Sequence, residues 1–116
     1  MIRETLELAP FLNDAGVPLL VGSDNLGLQV SGFSVHAEMQ KLQQAGIPVY
    51  DVLKAGTVNS ARFLKRFATA GTINEGKNAE FLILAQNPLE EISHTESIVG
   101  VILKGQWYDR QALDKM

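Results

Sequence analysis

The sequence contains no cysteine, so neither a disulfide framework nor a thiolate metal site is available to it, and the redox compartment stays open. No Lys/Arg run exists among the ten lysines and arginines, and the electrostatic footprint of a nucleic-acid binder is missing. The balance is mildly acidic, with a net charge of −3. Long apolar stretches are absent too. The run Val17 to Val21, with Pro18 inside it, is far too short to span a bilayer. At the N-terminus, Arg3, Glu4, Glu7 and Asp14 interrupt any apolar core that a secretory leader would need. These absences predict a soluble, cytoplasmic chain with no membrane and no nucleic-acid partner.

What remains is ordinary globular composition, 46% apolar and 20% charged, in a length that suits one domain with a modest core. Ile2, Leu6 and Phe11 or Leu12 recur near one face, which predicts an amphipathic helix over residues 2–15. Pro10 interrupts it and Gly16 stops it. Val17 to Gly22 does not alternate, so it reads as a short strand buried on both faces, as in a parallel sheet. Helix, loop and buried strand in that order form one step of a parallel α/β architecture. Residues 23–34 are rich in Gly, Ser and Asn and read as a loop, with Ser34 as the cap of the next helix.

Val35, Met39 and Leu42 mark that helix, which Gly46 ends. Pro48 opens a second short helix and Gly56 breaks it. Thr57 is the expected cap of a third, running through Leu64. From Thr69 the texture changes. Gly71 to Gly76 is a turn, Ala79 to Leu84 a strand, and Asn87-Pro88 a breaker. Ile98 to Leu103 is a strand that turns at Lys104-Gly105 into Gln106-Trp107-Tyr108. A soft boundary falls near residue 67, between a helical segment (1–67) and a β segment (68–116).

The chemistry centres on Gly22-Ser23-Asp24-Asn25. Asp24 follows directly on the expected strand, and in parallel α/β folds functional groups collect at the carboxyl ends of strands. A carboxylate there can bind a cation or act as a general base. It can also simply cap a turn. His36, at a helix start beside the same loop, is the second candidate; the plain alternative is a partly exposed histidine without a ligand. Glu38 reads as dipole compensation or a cap. His94 lies in a polar loop and receives no role. The loop Gly22 to Gly32 lacks the lysine of a P-loop and the spacing of a dinucleotide fold. Trp107-Tyr108 reads as hairpin packing.

Four pieces, in order, carry a family resemblance: Gly16-Val-Pro-Leu-Leu-Val-Gly-Ser-Asp24; His36-Ala-Glu-Met39 leading to Gln44-Ala-Gly46; Val52-Leu-Lys-Ala-Gly-Thr57-Val-Asn59-Ser-Ala61; and Gly71-Thr-Ile-Asn-Glu-Gly-Lys77-Asn-Ala-Glu80 with Asn87-Pro88-Leu89 and the closing Val101-Ile-Leu-Lys-Gly105. Together they resemble the C-terminal end of amidohydrolase-superfamily enzymes, of the imidazolonepropionase-like and Xaa-Pro dipeptidase-like branch. One departure is Glu80, where that family usually shows Asp.

The resemblance implies an α/β fold: the last strand and helices of a (β/α)8 metal-dependent hydrolase barrel, plus the C-terminal part of a small β-sandwich built from both chain ends. It implies that Asp24 ligates a divalent metal, usually zinc, and accepts a proton from the metal-activated water. Asn25 and His36 would touch a small amide or peptide-like substrate. The family's His-x-His pair, central lysine or carboxylate and further histidines come from earlier strands and have no counterpart here. One carboxylate cannot complete a catalytic zinc site. The expectation is therefore a C-terminal part of a C–N bond hydrolase, inactive as an isolated chain. A stand-alone binding or oligomerisation module that kept a fold remnant is the alternative, and a split enzyme with partner-supplied ligands ranks below both. Self-association, or the missing N-terminal portion, would then cover the exposed sheet edges.

Overall fold

The computed structural model describes residues 2–22 and 33–115. Four helices come first: α1 (Ile2–Asp14), α2 (Phe33–Gln44), α3 (Val49–Gly56) and α4 (Val58–Phe63). They are followed by β1 (Phe81–Leu84), a 3₁₀ helix (Ile92–Glu96), β2 (Ile98–Leu103), β3 (Gln106–Asp109) and the closing α5 (Arg110–Asp114). The result is a mixed α/β structure whose sheet, among the described residues, is small and antiparallel, in the order β1-β2-β3.

Three of the helices end in the same way. After α1, the Gly16 amide donates to Asn13 and that of Val17 to Leu12; after α2, Gly46 donates to Gln43 and Ile47 to Leu42. Both are Schellman closures, with the glycine at positive φ (84° and 104°). The third has no glycine. Lys65 takes φ 59° after α4, with its own amide on Arg62 and that of Arg66 on Ala61. α1 runs through Pro10, giving up only the bond that the missing N–H would have made.

Two expected caps are corrected. Ser34 lies inside α2 rather than ahead of it, because the helix already begins at Phe33; its side chain is buried. Thr57 precedes α4 but makes no side-chain cap. It follows α3 without a break, so its hydroxyl reaches back one turn and donates to the Leu53 carbonyl at 2.8 Å.

The expected buried strand at Val17–Val21 is also corrected. The segment forms no strand, and Val17 and Leu20 are exposed. A parallel strand needs neighbours to complete its ladder, and none lies beside it among the described residues. Its polar groups pair sideways with helices: the Val21 amide donates to Ala55 O at 3.3 Å, and Leu19 O accepts from Asn59 Nδ2 at 3.0 Å. Leu19 and Val21 still face inward.

The core belongs to the helices. Ala9, Met39, Ile47, Val52 and Ile92 form it, and Leu19, Val21, Leu42, Val49 and Leu53 pack around them. Ile92 comes from the 3₁₀ helix, so one element of the C-terminal half is anchored in the helical core. Its amide adds a bond to Gln43 Oε1 at 3.1 Å. At the other end, Asn13 Nδ2 donates to Asp51 Oδ2 at 3.0 Å and ties the end of α1 to α3.

The sheet follows the expected strands closely. Ile98–Leu103 is strand throughout, and Phe81–Leu84 pairs with it, with an irregularity between Ile83 and Leu84. The Lys104-Gly105 turn has positive φ at both residues (53° and 78°), as a two-residue hairpin demands. On β3, Trp107 lies over Gly100 so closely that a Cβ there would overlap the indole ring. Asp109 caps α5 through the Ala112 amide at 2.8 Å.

Candidate functional site

Asp24 and Asn25, the leading site candidates, lie outside the described residues. The structure does define the two sides that approach them: the segment that ends at Gly22 and the helix that begins at Phe33.

The segment ahead of Gly22 is held by two helices. Ala55 and Asn59 fasten Val21 and Leu19, as above. From α2, the partly buried Glu38 carboxyl stands on the same side and feels the Gly22 backbone N–H electrostatically. Burial of Glu38 raises its pKa above the ordinary carboxylate value, while the Gly22 N–H and the Lys41 ammonium one turn further along α2 partly offset the rise. Glu38 Oε2 is buried and has no hydrogen-bond partner among the described residues. Sequence reasoning missed this burial. It treated Glu38 as compensation for the helix dipole, because what buries a side chain leaves no local pattern.

His36 sits in the first turn of α2, half-buried. Its Nδ1 lies 3.0 Å from Thr95 Oγ1 on the 3₁₀ helix. Thr95 was invisible in the sequence, one hydroxyl in a polar stretch. The same hydroxyl donates to Ile92 O at 2.9 Å. His94, given no role, holds the Asn87 carbonyl through Nδ1 at 2.7 Å, a local bond that braces the loop after β1.

Away from these residues, a cleft of about 450 Å³ lies between α4 and β1, lined by Thr57, Ser60, Leu64, Ile73, Glu80 and Leu82 among others. None of Gly22, His36 and Glu38 lines it. Its walls are mostly apolar, and Glu80 is its one acidic group.

These elements recur in solved hydrolases. The chain superposes on a Xaa-Pro dipeptidase crystallised with bound methionine in its active site (TM-score 0.80, 27% identity), covering 91% of this chain and 25% of that one. It superposes on molinate hydrolase with TM-score 0.77 and 26% identity, covering 95% of this chain and 27% of the other. In sequence it is 28% identical over 85 residues to an imidazolonepropionase from Thermoplasma volcanium, which is 73% of this chain and 21% of that protein. The model of the amidohydrolase family matches residues 2–108, so the chain belongs to the amidohydrolase family. That family is hydrolytic and generally metal-dependent. The chain spans about a fifth of the length of the curated relative it matches.

The donor set does not by itself fit a catalytic metal. Among the described residues no three His, Cys, Asp or Glu side chains converge, whereas a catalytic zinc normally takes three protein ligands. The two histidines stand on different elements, with their Nδ1 atoms bonded to Thr95 and to Asn87.

Proposed function

We propose that this chain is the C-terminal part of a metal-dependent amidohydrolase that hydrolyses C–N bonds of an amide or cyclic amide. The boundary near residue 67 separates a barrel segment, made of its helices and the segment Val17–Gly22 that they brace, from part of a β-sandwich. Asp24 supplies one ligand of a divalent metal, zinc by preference, whose other ligands lie outside these residues. Asn25 and His36 stand on the substrate side. When bound, the metal would supply an activated water and polarise the substrate carbonyl.

The observation that supports this reading is the pair of bonds from Ala55 and Asn59 to Val21 and Leu19, just ahead of Gly22-Ser23-Asp24. Two helices hold one short segment, and in sequence that segment leads directly into Asp24. A surface turn would not need such bracing. Within the full-length hydrolase, Asp24→Asn is expected to lower amide hydrolysis by at least about a hundredfold, in line with the loss of a catalytic proton-transfer group. Retained activity would overturn the assignment. The isolated chain is expected to hydrolyse no amide substrate and to bind no stoichiometric zinc, read by colorimetric hydrolysis assay and by metal analysis.

A second reading, a binding or oligomerisation module, has one observation in its favour. Leu64, Ile73 and Leu82, each more than half exposed, border the apolar cleft, and such a patch asks for cover. Light scattering separates the readings: a defined oligomer with no hydrolase activity in the full-length protein favours the module.

A further inference from the structure

The hydrogen bonds around Thr95 carry information about His36 that the sequence does not. Thr95 is buried, at 6% exposure, and its hydroxyl meets two partners. Ile92 O lies at 2.9 Å and His36 Nδ1 at 3.0 Å. A hydroxyl has one proton to donate. A carbonyl oxygen can only accept, so the one assignment that makes both contacts hydrogen bonds sends the Thr95 proton to Ile92 O. Towards His36 the hydroxyl then offers only a lone pair, and Nδ1 must bring the proton.

We propose that Thr95 is a positioning residue that fixes neutral His36 as its Nδ1–H tautomer, so that the nitrogen left to the site, Nε2, is an acceptor. The arrangement is rigid because the 3₁₀ helix is itself fastened: Ile92 is buried in the helical core and its amide is bonded to Gln43 on α2. His36 and Thr95 are 59 residues apart in sequence, so the C-terminal half sets the chemistry of a side chain beside the Asp24 loop. A hydrogen-bond acceptor there recognises a substrate that carries an N–H or O–H donor, and discriminates against an analogue in which that donor is methylated. This specificity rests on the proposed placement of His36 on the substrate side; the tautomer does not.

The test is a long-range ¹H–¹⁵N correlation spectrum of the ¹⁵N-histidine-labelled chain, taken well above the usual imidazole range of about 6.5. His36 is expected to show a protonated, pyrrole-type Nδ1 and a pyridine-type Nε2. Thr95→Ser keeps a hydroxyl and should keep that pattern. Thr95→Val keeps the shape but removes the acceptor, and should move the proton towards Nε2. His94 serves as an internal reference: its Nδ1 faces a carbonyl, which only accepts, so it should read Nδ1–H in all three proteins. A wild-type His36 protonated at Nε2 would overturn the proposal without any variant, even if Thr95→Val failed to fold. An unchanged pattern in folded Thr95→Val would overturn it as well. Hydrolytic activity does not enter this readout. Failure of the hydrolase reading would appear separately, as Asp24→Asn activity.

Discussion

In the helical region the inward-facing apolar side chains leave water. Val52 is 0% exposed and Ile92 1%, with Met39 and Ile47 beside them. In the sheet, side chains of the same kind stay wet: Leu82 is 54% exposed and Trp107 50%, and Ile83, Val99 and Leu103 are exposed as well. Both β1 and β2 are apolar on both faces, a pattern suited to a sheet covered on both sides. The helices therefore cover their inner faces within this chain, with Phe11 and Phe63 left exposed on the outer ones, whereas the sheet is held by its backbone ladder, by Trp107 over Gly100, and by the one 3₁₀ helix that reaches into the core. Apolar pattern alone does not say where burial happens; the available neighbours decide it.

This contrast can be broken most directly at Ile92. Ile92→Ala is expected to cost about 2–5 kcal/mol, the usual range for emptying a buried aliphatic site, whereas Leu82→Ala on the sheet should stay within about 0.5 kcal/mol. Urea denaturation of both variants measures it, and equal losses would end the distinction. Next in size is Gly100→Ala. Its methyl meets the Trp107 ring and should cost about 1–3 kcal/mol by overpacking. Tryptophan fluorescence should report a displaced indole, and replacing Trp107 by Leu in the same chain should relieve most of the loss. Asn59→Ala sharpens the account of the segment before Gly22. Loss of the bond to Leu19 O should cost about 0.5–1.5 kcal/mol, and amide exchange should quicken at Val21 before it does in the sheet.

The smallest effect is a pH dependence at Glu38. Its folded pKa is raised, mainly by burial. In the folded state it therefore holds its proton more tightly than in the unfolded chain, and stability falls as pH rises through the raised value. The contribution is fully present below the ordinary carboxylate range and is lost above the raised pKa. Glu38→Gln should flatten that loss and leave the chain at least as stable as wild type near neutrality, read from urea midpoints across the acid-to-neutral range. A wild type that gains stability over the same interval, relative to Glu38→Gln, would reverse the sign and refute the assignment.

Much of the local structure was legible because its causes are local. Gly16 and Gly46 end their helices through a backbone geometry that glycine adopts without strain, and Lys104-Gly105 turns the hairpin for the same reason. The strand Ile98–Leu103 shows in its own composition. Reading was weakest where a neighbour decides. Thr57 spends its hydroxyl on α3 rather than on α4, Lys65 takes a position that usually signals itself by glycine, Glu38 is partly buried in the fold, and Thr95 faces His36 from 59 residues away.

By itself the sequence determined the four helices α1–α4, the three strands of the sheet, the main turns, and the family, since these rest on residues close together or on motifs kept in order. Only the tertiary structure decided that Val17–Val21 is braced by helices instead of paired as a strand, that Ile92 joins the helical core, and which hydroxyl faces His36. Each depends on which distant group comes to stand beside a side chain, and hydrogen bonding and burial act on that proximity, whatever the separation along the chain.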